Sequence, residues 1–170
     1  MPMPKQKPGR SKQDYSTPKD LLDAIKRWLG ITAFEFDFAC SMKNKKAKRG
    51  WTEKDDALAQ TYHQWLAECR GGWGWLNPPF ANIGPWALKC LIAKRAGTNI
   101  AFLVPASVGS NWYRDYIHGR SRVTVLFLNG RPSFDGKNGF PKDCMLVLFQ
   151  GSVPYQEFQS DVWTWKETAK

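Results

Sequence analysis

The chain has 170 residues, 42% of them hydrophobic, with a formal net charge of +10 and a sequence pI near 9.6. That length supports one domain with a proper core, and that charge favours a polyanionic partner without bearing on fold. No run is long and apolar enough for a membrane span, no apolar segment follows the basic N-terminus as a secretory signal requires, and four widely spaced cysteines with two histidines offer no zinc spacing.

Residues 1–14 are rich in Pro, Lys and Gln and read as a basic, disordered arm carrying Lys5, Lys7, Arg10 and Lys12. From Pro18, TPKDLLDAIKRWLG has the signals of a helix, with Thr17 as N-cap, Pro18 at the first position and Gly30 as the stop. AFEFDFAC reads as a buried strand ending at residues 37–40, and SMKNKKAKRGWTEKDD as a basic loop. DDALAQTYHQWLAECR has helical spacing through Leu58, Tyr62, Trp65 and Leu66. GWGWL is a second strand. A helix (GPWALKCLIAKRAG), a buried strand (NIAFLVPA) and a short helix (SNWYRDYIHG) follow. VTVLFLNGRPSF and DCMLVLFQ are two strands joined by a loop with Gly130, Gly136 and Gly139. The domain is thus expected over 15–151, with a loosely packed polar tail over 152–170.

This alternation predicts an α/β fold, a mostly parallel sheet closed by a C-terminal antiparallel hairpin. Ligands of such sheets sit beyond the carboxyl ends of the strands. Asp37, the turn at Asn77 and the loop after Pro105 all fall at such ends. The thiols are expected to be free, in a cytoplasmic protein.

The turn itself, Asn77-Pro78-Pro79-Phe80, carries the most chemistry. Asn77 offers a side-chain carbonyl oxygen and Pro78 a backbone carbonyl, and the prolines limit φ so that the two acceptors keep a fixed relation. Two fixed acceptors suit an –NH2 group, and Phe80 suits the flat ring that bears it. The competing reading is a strand-terminating turn with Phe80 in the core. An aromatic content of 14%, including nine Trp, adds the prospect of a base-stacking surface. The basic cluster Lys43, Lys45, Lys46, Lys48 and Arg49 is either a solvated face or a nucleic-acid contact; an anionic membrane fits less well, because the cluster has no regular apolar face.

These features, taken in order, resemble the small phage-type (Dam-like) DNA N-6-adenine methyltransferases. The resemblance runs from Tyr15-Ser16-Thr17-Pro18 through Asp37-Phe38-Ala39, Asp56-Ala57-Leu58, Asn77-Pro78-Pro79-Phe80 and Leu103-Val104-Pro105 to Trp112-Tyr113 and Gly130-Arg131 with Phe134. It covers roughly residues 15–151. It implies a compact Rossmann-like methyltransferase fold and transfer of a methyl group from S-adenosylmethionine to the 6-amino group of adenine in DNA.

On that resemblance Asn77, Pro78, Pro79 and Phe80 bind and activate the amine, and Tyr15, Thr17, Pro18, Asp37, Ala39 and Asp56 bind the cofactor. Asp37 equally suits a strand-end cap, and Asp56 an acid at a helix start. Cys40-Ser41-Met42 stands where larger methyltransferases have a glycine-rich turn, which leaves the adenosine pocket least defined. Neither a metal nor a nucleophilic cysteine is required, since the amine attacks directly. The expected partner is double-stranded DNA with a flipped adenine, held through phosphate contacts of Lys43, Lys45, Lys46, Lys48 and Arg49. Arg131 is a further DNA candidate or one half of a structural ion pair. Methylation of the cytosine 4-amino group, and a non-catalytic nucleic-acid-binding domain on the same fold, are the alternatives; glutamine methyltransferases share the turn but bring a longer chain and a glycine-rich cofactor turn. The oligomeric state is not legible.

Overall fold

The structure, a computed structural model, describes residues 16–166. The N-terminal arm and Tyr15 lie outside the described residues. Helix α1 (Lys19–Leu29) begins just after Pro18 and ends at Gly30, whose φ of 67° lets its N–H donate back to Arg27 O at 3.1 Å. The expected cap is corrected: no side chain caps α1, and the Thr17 hydroxyl is turned into the molecule instead.

Strand β1 (Phe36–Asp37) is shorter than its apolar run suggested. The basic loop after it folds back along the outer edge, where the Asp37 N–H donates to Arg49 O at 3.0 Å and the Trp51 N–H to Asp37 O at 2.9 Å. That covers an edge which would otherwise present unpaired backbone groups. A 3-10 turn (Glu53–Asp55) then ends at Asp56 in the left-handed region, φ 46°. The helix expected from residue 55 therefore starts only at α2 (Tyr62–Cys69). Thr61 and Gln64 set its start by a reciprocal capping box, with the Gln64 N–H donating to Thr61 Oγ1 and the Thr61 N–H to Gln64 Oε1.

The remaining elements are β2 (Trp73–Leu76), α3 (Gly84–Arg95), β3 (Asn99–Pro105), α4 (Asn111–Tyr116), β4 (Val123–Leu128), β5 (Cys144–Gln150) and β6 (Gln159–Trp163). They form one six-stranded sheet in the order β1-β2-β3-β5-β4-β6. Pairs β1–β2, β2–β3 and β4–β6 are parallel, whereas β5 runs against both neighbours, β3 and β4. The α/β sheet is thus mostly parallel, with the antiparallel β4–β5 hairpin turned inward and β6, from the polar C-terminal stretch, at the edge.

Side chains alternate across this sheet. Ile100, Phe102 and Val104 of β3 and Met145, Val147 and Phe149 of β5 face a core shared with α2, α3 and α4. Ala101, Leu103, Leu146 and Leu148 face the opposite core, closed by Leu21, Ala24 and Ile25 of α1 and by Trp163 and Trp165. Because β1, β2 and β3 are parallel, Asp37, Asn77 and Pro105 share one edge of the sheet. The loop after β4 returns to the same edge.

Gly74, in the middle of β2, is where backbone and ring come closest. A Cβ there would lie 2.3 Å from the Phe38 ring and 2.9 Å from Cys69 Sγ. The Phe38 ring cannot yield, being fully buried and stacked on Trp65 at 3.9 Å. Gly74→Ala should therefore destabilise the protein by about 1–3 kcal/mol in urea unfolding; an unchanged midpoint would show that this layer is loosely packed.

Candidate active site

Beyond the carboxyl ends of β1 and β2 lies a cleft of about 820 Å³, within the ordinary size of a small-ligand site. Thr17, Asp37, Ala39, Asp56, Asn77 and Pro79 all line it, so residues widely separated in the chain meet here. Pro18 adjoins Thr17 but does not line the cleft. Ser41, Asn44, Lys46, Thr52, Glu53 and Trp86 also line it, and the sequence motifs did not single these out as cofactor residues. They sit on an irregular loop and on the first turn of α3, where no periodicity or spacing marks a lining residue.

Asp37 is 1% exposed, yet both carboxylate oxygens are satisfied. Oδ1 accepts from the Ala39 N–H at 3.2 Å and Oδ2 from the Lys46 N–H at 2.8 Å. Among the described residues no basic side chain forms an ion pair with it. Burial pushes its pKa up to about 6, opposed by the two amide hydrogen bonds and by the nearby charges of Lys46 and Lys45.

Asn77 leaves the end of β2 half-buried, and its Nδ2 donates to Thr17 Oγ1 at 2.9 Å. Pro78 is buried and Pro79 exposed. Phe80 does not line the first cleft but a second, of about 650 Å³, together with Trp112, Tyr116, Asn111 and the start of α3. Its ring meets Phe140 edge-on at 5.6 Å and Phe134 at 6.4 Å. The 77–80 turn is therefore a common wall: Asn77 and Pro79 belong to one cleft and Phe80 to the other.

The Asp56 loop is held from several sides. Asp56 Oδ1 accepts from the Ala59 N–H, the Trp65 indole donates to Ala57 O at 3.0 Å, and Lys89 Nζ donates to Leu58 O at 3.1 Å and to Gln60 O. Asp56 itself is exposed, in a backbone region that non-glycine residues enter at some cost.

The basic cluster divides. Lys46 Nζ donates to Ser16 Oγ at 2.7 Å, and Arg49 pairs with Glu68 and lies over the Phe36 ring. Lys43, Lys45 and Lys48 are exposed. Arg131 forms an ion pair with Asp143 at 2.9 Å. All four cysteines are free, and burial is the main cause that pushes Cys40 up to about 11 and Cys69 and Cys144 up to about 12. None is poised as a thiolate nucleophile. Among the described residues no three His, Cys, Asp or Glu side chains group as a metal site, and no helix is long and apolar enough to cross a membrane.

The pKa of Asp37 has a consequence for stability. Its folded value, about 6, exceeds the ordinary 3.8, so the folded state binds the proton more tightly. The carboxyl therefore favours folding most below pH 3.8, and that advantage is lost as pH rises toward 6. The stability of the ligand-free protein relative to Asp37→Asn should fall by up to about 3 kcal/mol between pH 4 and pH 7. Urea unfolding of both proteins across that range checks this, and parallel pH profiles would contradict it.

Comparison with known proteins bears on what the two clefts do. The profile of the DNA N-6-adenine-methyltransferase (Dam) family matches residues 5–158. The chain is also 24% identical, over 165 residues, to the DNA N-6-adenine-methyltransferase of Haemophilus phage HP1 (strain HP1c1), an alignment covering 93% of this chain and 91% of the relative. The matched stretch takes in both clefts and the turn between them, and the chain belongs to the DNA N-6-adenine-methyltransferase family.

Proposed function

We propose that this DNA adenine methyltransferase carries out its reaction at the 77–80 turn, with S-adenosylmethionine in the first cleft and the target adenine entering from the side of Phe80. The observation that carries the reading is that Asn77, an amine acceptor, lines the same cleft as a buried carboxylate, Asp37. When bound, S-adenosylmethionine supplies an electrophilic methyl group on a sulfonium.

The donor set fits that cofactor. Asp37 is a buried carboxylate without an ion pair among the described residues, and it suits the α-ammonium of the methionine part. A cation there offsets the burial that raises its pKa. Thr17 and Ala39 line the same space, and Asp56 is set at its margin for the adenosine part. The compact Rossmann-like arrangement follows from this reading, with the cofactor beyond the carboxyl ends of parallel strands.

Asn77 Oδ1 and the Pro78 carbonyl each accept one hydrogen of the 6-amino group. That draws the nitrogen lone pair out of conjugation with the ring and turns it toward the first cleft. The residues thus supply orientation rather than acid–base chemistry. Phe80 provides a stacking face for the base, which leaves the duplex at a cost of about a few kcal/mol. Lys43, Lys45 and Lys48 are the phosphate contacts that offset this cost, with Lys46 and Arg49 in the same loop and Arg131 a separate contact after β4, and they make binding salt-dependent. Family membership favours adenine over the cytosine 4-amino group.

Asn77→Ala should lower the methylation rate by at least roughly 100-fold while equilibrium binding of S-adenosylmethionine persists. Asp37→Ala should instead abolish cofactor binding. In the parent protein cofactor affinity should drop about tenfold per pH unit below pH 6, as protonation of Asp37 removes the charge that meets the ammonium. Isothermal titration across pH with both variants separates these effects. An active Asn77→Ala protein, or pH-independent affinity, would refute the assignment.

A further inference from the structure

We infer that Thr17 is a positioning residue, which holds the Asn77 amide in place to meet the target amine. The inference rests on the reading of Asn77 as an amine acceptor and assigns part of that task to a residue in another segment of the chain.

A carboxamide has two ends of nearly equal shape and opposite hydrogen-bonding character. Toward an exocyclic amine, the oxygen end accepts a hydrogen, while the nitrogen end sets donor against donor. A turnover of the amide about its last torsion changes its shape little, so sterics alone distinguish the two poorly. The Thr17 hydroxyl, both donor and acceptor, holds the amide in place, and the target amine, a donor, takes the oxygen end. Asn77 Nδ2 donates to Thr17 Oγ1 at 2.9 Å, across a separation of 60 residues. No described residue donates to Asn77 Oδ1. The nitrogen end is thereby engaged and the oxygen end remains for a ligand.

Three further facts fit a positioning role. Thr17 is 3% exposed, so water does not compete for its hydroxyl. The hydroxyl is not used to cap α1, although a threonine before Pro18 is well suited to that task. The segment is also held in place on both sides of Thr17. Ser16 Oγ accepts from Lys46 Nζ at 2.7 Å, and Pro18 O accepts from the Leu22 N–H at 3.1 Å. Since the Lys46 N–H also holds Asp37 Oδ2, the same short segment joins the loop around the buried carboxylate to the amide that faces the amine.

Thr17→Val keeps the shape and removes the hydroxyl; Thr17→Ser keeps the hydroxyl. The measurements are the single-turnover methyl-transfer rate with bound DNA and the dissociation constants of S-adenosylmethionine and DNA. For Thr17→Val the expected result is a rate lowered roughly 10- to 100-fold with both affinities little changed, and for Thr17→Ser a rate near that of the parent. Thr17→Ala makes the same comparison if the valine variant does not fold.

A parent-like rate in Thr17→Val beside an inactive Asn77→Ala overturns the inference and leaves the reading of Asn77 standing. A loss explained wholly by weaker cofactor binding also overturns it, making Thr17 a cofactor contact. Full activity in Asn77→Ala removes the underlying reading instead.

Discussion

A carboxylate taken out of water at the end of a short strand must find hydrogen-bond donors nearby, and that requirement organises one end of this molecule. Asp37 finds them in the Ala39 and Lys46 amides, so the chain after β1 has to loop out and return. The return runs so close that Gly50 has no room for a side chain: a Cβ there would lie 2.6 Å from Asp37 O and 2.8 Å from Cys40 Sγ. The same loop covers the outer edge of β1 and forms one side of the first cleft. Its basic composition therefore serves structure as well as charge, with Lys46 reaching Ser16 and Arg49 reaching Glu68.

The parallel run of β1, β2 and β3 carries the consequence to the turn after β2. It sets the end of β2 beside the end of β1, so the side chain of Asn77 shares a cleft with the buried carboxylate of Asp37. Two prolines stiffen the turn that follows, and Phe80 emerges on its other side among Phe134 and Phe140 from the loop after β4. The four-residue turn thus borders both clefts, and α3, which starts just after it, ties the Asp56 loop in place through Lys89.

Much of this was legible in the sequence where the determinants are local. The apolar runs of β2, β3, β4 and β5 are fully or largely buried, so composition alone marks them. Asp37 and Asn77 stand out as polar residues directly after such runs. What was not legible depends on partners far along the chain. β6 reads as a polar tail because an edge strand leaves Gln159, Ser160, Asp161 and Val162 exposed, erasing the alternation. The helix expected from residue 55 fails because Asp56 is left-handed, and α2 starts instead at the Thr61–Gln64 capping box. Thr17 has the local signature of a helix cap, and only the fold brings its hydroxyl to Asn77. The division of the turn between two clefts has no sequence signal at all.

The account stands on one chemical outcome. Unmethylated duplex DNA is incubated with the protein and S-adenosylmethionine labelled in its methyl group, then digested to nucleosides, and the labelled nucleoside is identified. The account predicts label on the 6-amino group of adenine. Label on cytosine, or no label in a protein that binds the same DNA in a salt-sensitive manner, would contradict it.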